Sequence, residues 1–144
     1  LIDGDVLLYK DGGTPGNFVP HVSAFGFGFP IRDAVINEHV YRVRSIGNVS
    51  QGLLYWLLSS KWMMEEMKLR GTGAAIPGLN SSNVRELPIP DLQTPEINSA
   101  SHTLDSYLSE LLRLGAENLA LQQLRDVLLP ELISGRLRVS QVAA

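Results

Sequence analysis

The sequence predicts an α+β chain: a small mixed module followed by a long C-terminal coiled-coil helix. Three observations predict it. Residues 1–44 hold short apolar runs punctuated by Gly and Pro, the pattern of strands and turns. Residues 50–69 repeat apolar side chains every three or four positions, the period of a helix buried on one face. After Thr94-Pro95-Glu96, apolar heptads run to Leu129-Pro130.

The first expected strand is Val6-Leu-Leu-Tyr9, opened by the Asp3-Gly4 turn signal and closed by Asp11-Gly-Gly13. Residues 14–17, Thr-Pro-Gly-Asn, read as loop. Residues 24–31 alternate Gly with Phe and break at Pro30. Val40-Tyr-Arg-Val-Arg44 reads as a strand with Arg42 and Arg44 on one face, and Tyr41 interrupts the alternation enough to admit a bulge. Ser50 is the expected N-cap of the helical segment, and Leu53, Leu54, Leu57, Leu58, Met64 and Met67 form its apolar side. Ser59-Ser60 marks a split into two helices, and Gly71-Thr-Gly73 supplies C-cap chemistry. Residues 71–92 read as loop with one short strand over 84–89. Pro88 and Pro90 have no N–H to donate, so that strand belongs at an edge.

The last helix has the clearest start. Thr94 is an N-cap, Pro95 stands at the first helical position, and Glu96 faces the positive end of the helix dipole. With Ile97 as a, the a positions are Ile97, Leu104, Leu111, Asn118 and Arg125. The d positions are Ala100, Tyr107, Leu114, Leu121 and Leu128. Eight of these ten are apolar, which suits a helix that packs against a partner helix. At roughly 1.5 Å per residue the arm spans about 50 Å. Asn118 and Arg125 at a positions cost stability and set register or partner choice. Gly115 weakens the helix by about 1 kcal/mol relative to Ala. Pro130 interrupts the hydrogen-bond ladder, and Ser134-Gly135 ends the helix. The expected division is therefore a module over 1–92, a long spacer or dimerisation helix over 93–136, and a tail over 137–144.

The 144 residues suffice for a small domain plus an arm, and 44% apolar with 19% charged residues marks a folded chain. There is no cysteine, which excludes disulfides and thiolate zinc sites and fits a reducing, cytoplasmic setting. The longest apolar run, residues 53–58, is far shorter than the roughly 20 residues of a membrane helix, so no membrane partner is expected. The chain opens at Leu1-Ile-Asp-Gly-Asp-Val without an initiator Met, and is expected to be a piece of a longer protein. Net charge is −3. Residues 1–94 carry nine acids against eight bases, whereas residues 95–129 carry five acids against two. The excess negative charge thus sits on the arm, and the module is near neutral.

Motifs for catalysis are weak. Phe25-Gly-Phe-Gly-Phe29 has the outline of an adenosyl-methionine loop, but Pro30 follows where a helix should begin, so core phenylalanines explain it better. Glu66-Met-Lys68 matches a nuclease E-x-K, but on a predicted helix and without its paired Pro-Asp; a solvated helix face suffices. His21, His39 and His102 lack metal-ligand spacing. No G-x-S-x-G or Walker loop occurs. No catalytic, metal or cofactor residues are assigned. Among the module's polar side chains, Lys10, Thr14, Arg42, Arg44, Lys68, Arg70 and Asn80 are nominated to face DNA, because Lys and Arg neutralise phosphates and polar groups read base edges. Ordinary surface charge is the competing explanation.

Several segments together resemble one family. Asp3-Gly-Asp-Val-Leu-Leu8 with Asp11-Gly-Gly, Ile36-Asn-Glu-His-Val40, Leu53-Leu-Tyr-Trp-Leu-Leu-Ser59, Gly71-Thr-Gly through Leu79-Asn80, Val84-Arg-Glu-Leu-Pro-Ile-Pro90, and Leu128-Leu-Pro-Glu-Leu-Ile-Ser-Gly135 follow one another as in the specificity subunits of type I restriction–modification systems. Each motif is weak alone; the order and spacing are specific. The resemblance covers nearly the whole chain and implies the C-terminal part of one DNA target recognition domain plus its conserved helix. It implies a non-catalytic subunit that reads half of a bipartite double-stranded target, with helix length setting the gap between halves. It further implies that methyltransferase subunits dock on the helices and that a restriction and translocase subunit joins through the complex. The chain departs from the full pattern in carrying one helix and about half of one recognition domain. The stripe of Ile97, Ala100, Leu104, Tyr107, Leu111, Leu114, Asn118, Leu121 and Leu128 is then expected to meet a second copy or the other half of the same subunit. The alternative is a non-enzymatic coiled-coil scaffold whose module binds protein. A stand-alone methyltransferase or nuclease lacks its motifs.

Overall fold

The computed structural model describes residues 1–26, 33–73, 75–92 and 94–138. It is a mixed α+β chain in which a small antiparallel sheet region precedes a long C-terminal helix. The strands are β1 (Val6–Tyr9), β2 (Gly13–Thr14), β3 (Asn17–Phe18), β4 (Val22–Ala24) and β5 (Val40–Val43). The helices are α1 (Gln51–Ser59), α2 (Lys61–Arg70), α3 (Ser81–Arg85) and α4 (Pro95–Ile133).

β1 is the centre of a three-stranded sheet ordered β4-β1-β5, antiparallel on both sides. The β1–β5 register runs one to one from Val6↔Val43 to Tyr9↔Val40, so there is no bulge at Tyr41. Tyr41 and Val43 pack on the core, and Tyr41 Oη donates to the Leu79 carbonyl at 3.2 Å. The apolar side of this strand is thus Tyr41 and Val43 rather than Val40 and Val43. Residues 14–17, expected as loop, form the tight β2–β3 hairpin, with Gly16 at φ 74° in its turn. Most of the Gly/Phe alternation, residues 27–32, lies outside the described residues; Phe25 is buried as expected.

The helical segment splits where the serines predicted. Ser50 Oγ accepts the Leu53 amide at 3.1 Å, and Ser60 Oγ accepts the Met63 amide at 3.2 Å. Ser60 therefore ends α1 and caps α2, its extended backbone breaking the ladder. Met63 and Met67, one turn apart, are fully buried with Val6, Leu8, Phe18, Leu58, Leu79 and Leu87. Gly71 ends α2, but at φ −59°, not in the left-handed conformation. A glycine is needed there for space, since a Cβ would stand 2.6 Å from the Phe18 side chain.

No strand forms over 84–89. Asn80 accepts the Asn83 amide at 2.8 Å and Asn83 returns the contact at 3.0 Å, a reciprocal cap that starts α3 instead. The local side-chain caps outweigh the β preference of a lone Val84.

α4 starts as expected: Thr94 is the N-cap and Pro95 follows at its first position. The 39-residue helix continues through Pro130 to Ile133. Its first half lies along α1, and Leu108 there is 4% exposed. No described helix is long and apolar enough to cross a membrane.

Candidate functional site

Two regions of the described chain invite a partner: one end of the sheet and the bare side of α4. At the sheet end, the 72–78 loop closes on itself through paired Thr72–Gly78 hydrogen bonds of 2.9 and 2.8 Å. It is then fastened to β1, because the Leu79 amide donates to the Lys10 carbonyl at 2.7 Å and the Gly12 amide to the Pro77 carbonyl at 3.2 Å. Gly78 allows this approach, as a Cβ would come within 2.4 Å of the Lys10 carbonyl. The result is an open cleft of about 140 Å³ lined by Lys10, Asp11, Thr72, Ile76, Gly78, Leu79 and Asn80. Asp11 is paired with His39 Nδ1 at 2.6 Å. The Lys10 ammonium has no hydrogen-bond or ion-pair partner among the described residues.

The structure sorts the seven nominated side chains into two groups. Three serve the fold. Arg44 grips Asp5 with two bonds of 2.5 and 2.9 Å. Arg70 pairs with Glu66 one turn earlier, and Asn80 caps α3. Four make no side-chain hydrogen bond or ion pair among the described residues: Lys10, Thr14, Arg42 and Lys68, although the Arg42 charge acts on Asp5. Lys10 and Asn80 meet in the cleft, and Thr14 stands in the adjoining hairpin. Arg42 pairs directly with Leu7 and so lies on the sheet face turned away from Val6 and Leu8. It does not join Lys10 in one patch.

Asp5 was missed as a functional or structural residue, although the Asp3-Gly-Asp5 stretch was noted. It is 2% exposed, and its carboxylate also takes the Ile2 amide at 2.9 Å. Burial would push its pKa up. The Arg44 hydrogen bond, the Ile2 amide and the charges of Arg44 and Arg42 outweigh burial and hold the carboxyl below its usual range. The same pairing raises the Arg44 guanidinium.

On α4 the expected a/d stripe divides. Ile97 and Leu104 are half-buried at the end nearest the module, where α4 lies along α1. Tyr107, Leu111, Leu114 and Leu121 are exposed, at 59, 42, 49 and 58%. Ala100 and Asn118 are exposed and Leu128 is half-buried. Leu124, Val127, Leu129, Leu132 and Ile133 add further exposed apolar surface along the second half. Arg113 bridges Glu110 and Glu117 on the helix surface at 2.7 and 3.1 Å. Its hydrogen bonds lower the Glu110 carboxyl and raise the guanidinium.

Also missed was the seat that holds α4: Gly52, Trp56 and Asp105. The Gly52 amide donates to Asp105 Oδ1 at 2.7 Å, and Trp56 Nε1 donates to the Leu104 carbonyl at 3.1 Å. An acid inside a heptad run beside a glycine-bearing helix was the available signal, but sequence does not say which helices meet. Among the described residues no three His, Asp or Glu side chains gather as a metal site requires. Glu66, the acid of the E-x-K motif, is the partner of Arg70. No protein-family model, curated protein or solved structure matches the chain.

Proposed function

We propose that this chain is part of the DNA-specificity subunit of a type I restriction–modification complex. In this reading residues 1–92 contribute to recognition of double-stranded DNA in the cytoplasm. The arm then positions methyltransferase subunits and, through the complex, the restriction subunit. The observation that carries the reading is the arm: a helix of 39 residues, about 58 Å long, seated along its first half and bare along its second. Such a helix holds two recognition elements a fixed distance apart. The order of the family-like motifs along the chain supports the same reading. Lys10 and Lys68 have no ion-pair partner among the described residues and are available for phosphates, and Thr14 offers a hydroxyl to a groove. The chain needs no catalytic group of its own, because methyltransferase partners bring the chemistry.

Adenine-methylation mapping of the host genome, with the intact parent gene present and then deleted, tests this. Loss of one bipartite methylated motif is the expected outcome; an unchanged map counts against it. The near-neutral charge of the module favours the second reading, a scaffold whose module binds protein. DNA binding by the intact protein with its methyltransferase partner separates the two. Phosphate contacts give a steep loss of affinity with salt, whereas a scaffold shows no DNA binding to lose.

A further inference from the structure

The arm leaves the module from a seat with two close points. At the first, α1 and α4 meet almost backbone to backbone through the Gly52–Asp105 and Trp56–Leu104 hydrogen bonds. A Cβ on Gly52 would stand 2.7 Å from the Asp105 backbone, so only glycine admits this approach. Asp105 also satisfies one of the amides left open at the start of α1, while Ser50 satisfies another. At the second point, Gly26 after β4 admits Leu112, whose Cδ1 would lie 2.7 Å from a Cβ there. The two points are about 10 Å apart along α4. A single contact leaves a helix free to pivot, whereas two so separated fix its direction. Apolar contact at Leu108 holds the helix down but is not directional; the hydrogen bonds to Asp105 and Leu104 are.

We infer that Asp105, together with Trp56, is a positioning residue that fixes the direction in which the arm leaves the module. Resting on the proposed function, that direction sets which gap between half-sites the complex accepts, in addition to the length of the helix.

The test is an electron–electron spin-distance measurement on the full chain, labelled at Asn17→Cys and Gln123→Cys. The sequence has no other cysteine, and dilution with unlabelled protein keeps the distances intramolecular. Asp105→Ala and Trp56→Phe are expected to shift or broaden the distance beyond the wild-type width. Asp105→Asn retains an acceptor oxygen and is expected to restore it. Trp56→Phe keeps an aromatic ring in the seat while losing the N–H and some ring volume, so it answers even if Asp105→Ala fails to fold. A wild-type distance distribution in the folded variants overturns the inference. Methylation mapping with the same substitutions in the intact gene completes it: relaxed or altered spacing with unchanged half-sites is expected. A shifted arm with an unchanged motif overturns the link to spacing. A host that methylates no motif even with the unaltered gene removes the DNA reading instead, leaving the distance result to decide the seat.

Discussion

At the scale of single residues, the Asp5–Arg44 pair carries a pH signature. Asp5 is buried and its folded pKa lies below the ordinary value. A carboxyl depressed by folding adds stability above its unfolded pKa, near 4, and that stability is lost as pH falls through the lower folded pKa. Asp5→Asn is therefore expected to lower the melting temperature at neutral pH. The difference from wild type should shrink as pH falls below about 4, and a constant difference across that range refutes the assignment. Gly71 makes a second residue-scale case. Sequence read it as a helix terminator, and it is one, but its backbone angles are open to any residue. What forbids a side chain is Phe18, a contact between residues far apart in the chain. Gly71→Ala is expected to cost about 1–3 kcal/mol by overcrowding, measured by urea unfolding. Long-range space of this kind is invisible to local patterns, and for the same reason the Arg44 nomination did not foresee a buried partner 39 positions away.

At the scale of elements, legibility followed the caps. Ser50 and Thr94 each announced a helix start and Ser59-Ser60 a split, and the side-chain oxygens of Ser50, Ser60 and Thr94 each accept the amide three residues on. α3 was misread because the proline-flanked 84–89 segment looked like an edge strand, while the Asn80…Asn83 pair was present and unread. Ser60→Ala is expected to destabilise by about 1 kcal/mol through loss of the α2 cap, read from the midpoint of a denaturant curve. Asn80 allows a sharper experiment. Asp caps as well as Asn, so Asn80→Asp should leave stability nearly unchanged while Asn80→Ala costs about 1 kcal/mol. If Asn80 also reads DNA through its amide, Asn80→Asp weakens binding without weakening the fold. Equal DNA affinity for wild type and Asn80→Asp confines the residue to capping.

At the scale of the whole molecule, the heptad pattern was read as one stripe and serves two surfaces. A helix turns about 100° per residue, so a 3.5-residue repeat drifts around a straight cylinder. Its early a positions, Ile97 and Leu104, turn toward the module, whereas the early d positions Ala100 and Tyr107 and the later members Leu114 and Leu121 look outward. Sequence showed that the helix is apolar along its length but not where the module stops covering it. This division separates folding from association. Leu108 is buried in the seat, and Leu108→Ala is expected to cost about 2–5 kcal/mol of stability. Leu121 is more than half exposed, so at a dilution where the wild type is monomeric Leu121→Lys should leave the melting temperature within about a degree or two while removing the apolar contact a partner helix needs. Sedimentation at tens of micromolar measures the consequence. The wild-type chain is expected to self-associate through Tyr107, Leu111, Leu114 and Leu121, and Leu121→Lys to sediment as a monomer. Asn118 at the centre of that stripe selects a partner able to face its amide, so Asn118→Leu should strengthen association while loosening its register. A wild-type chain that stays monomeric at that concentration removes self-pairing. Under the proposed function, the exposed stripe would then fall to the methyltransferase subunits, or to the other half of a longer chain.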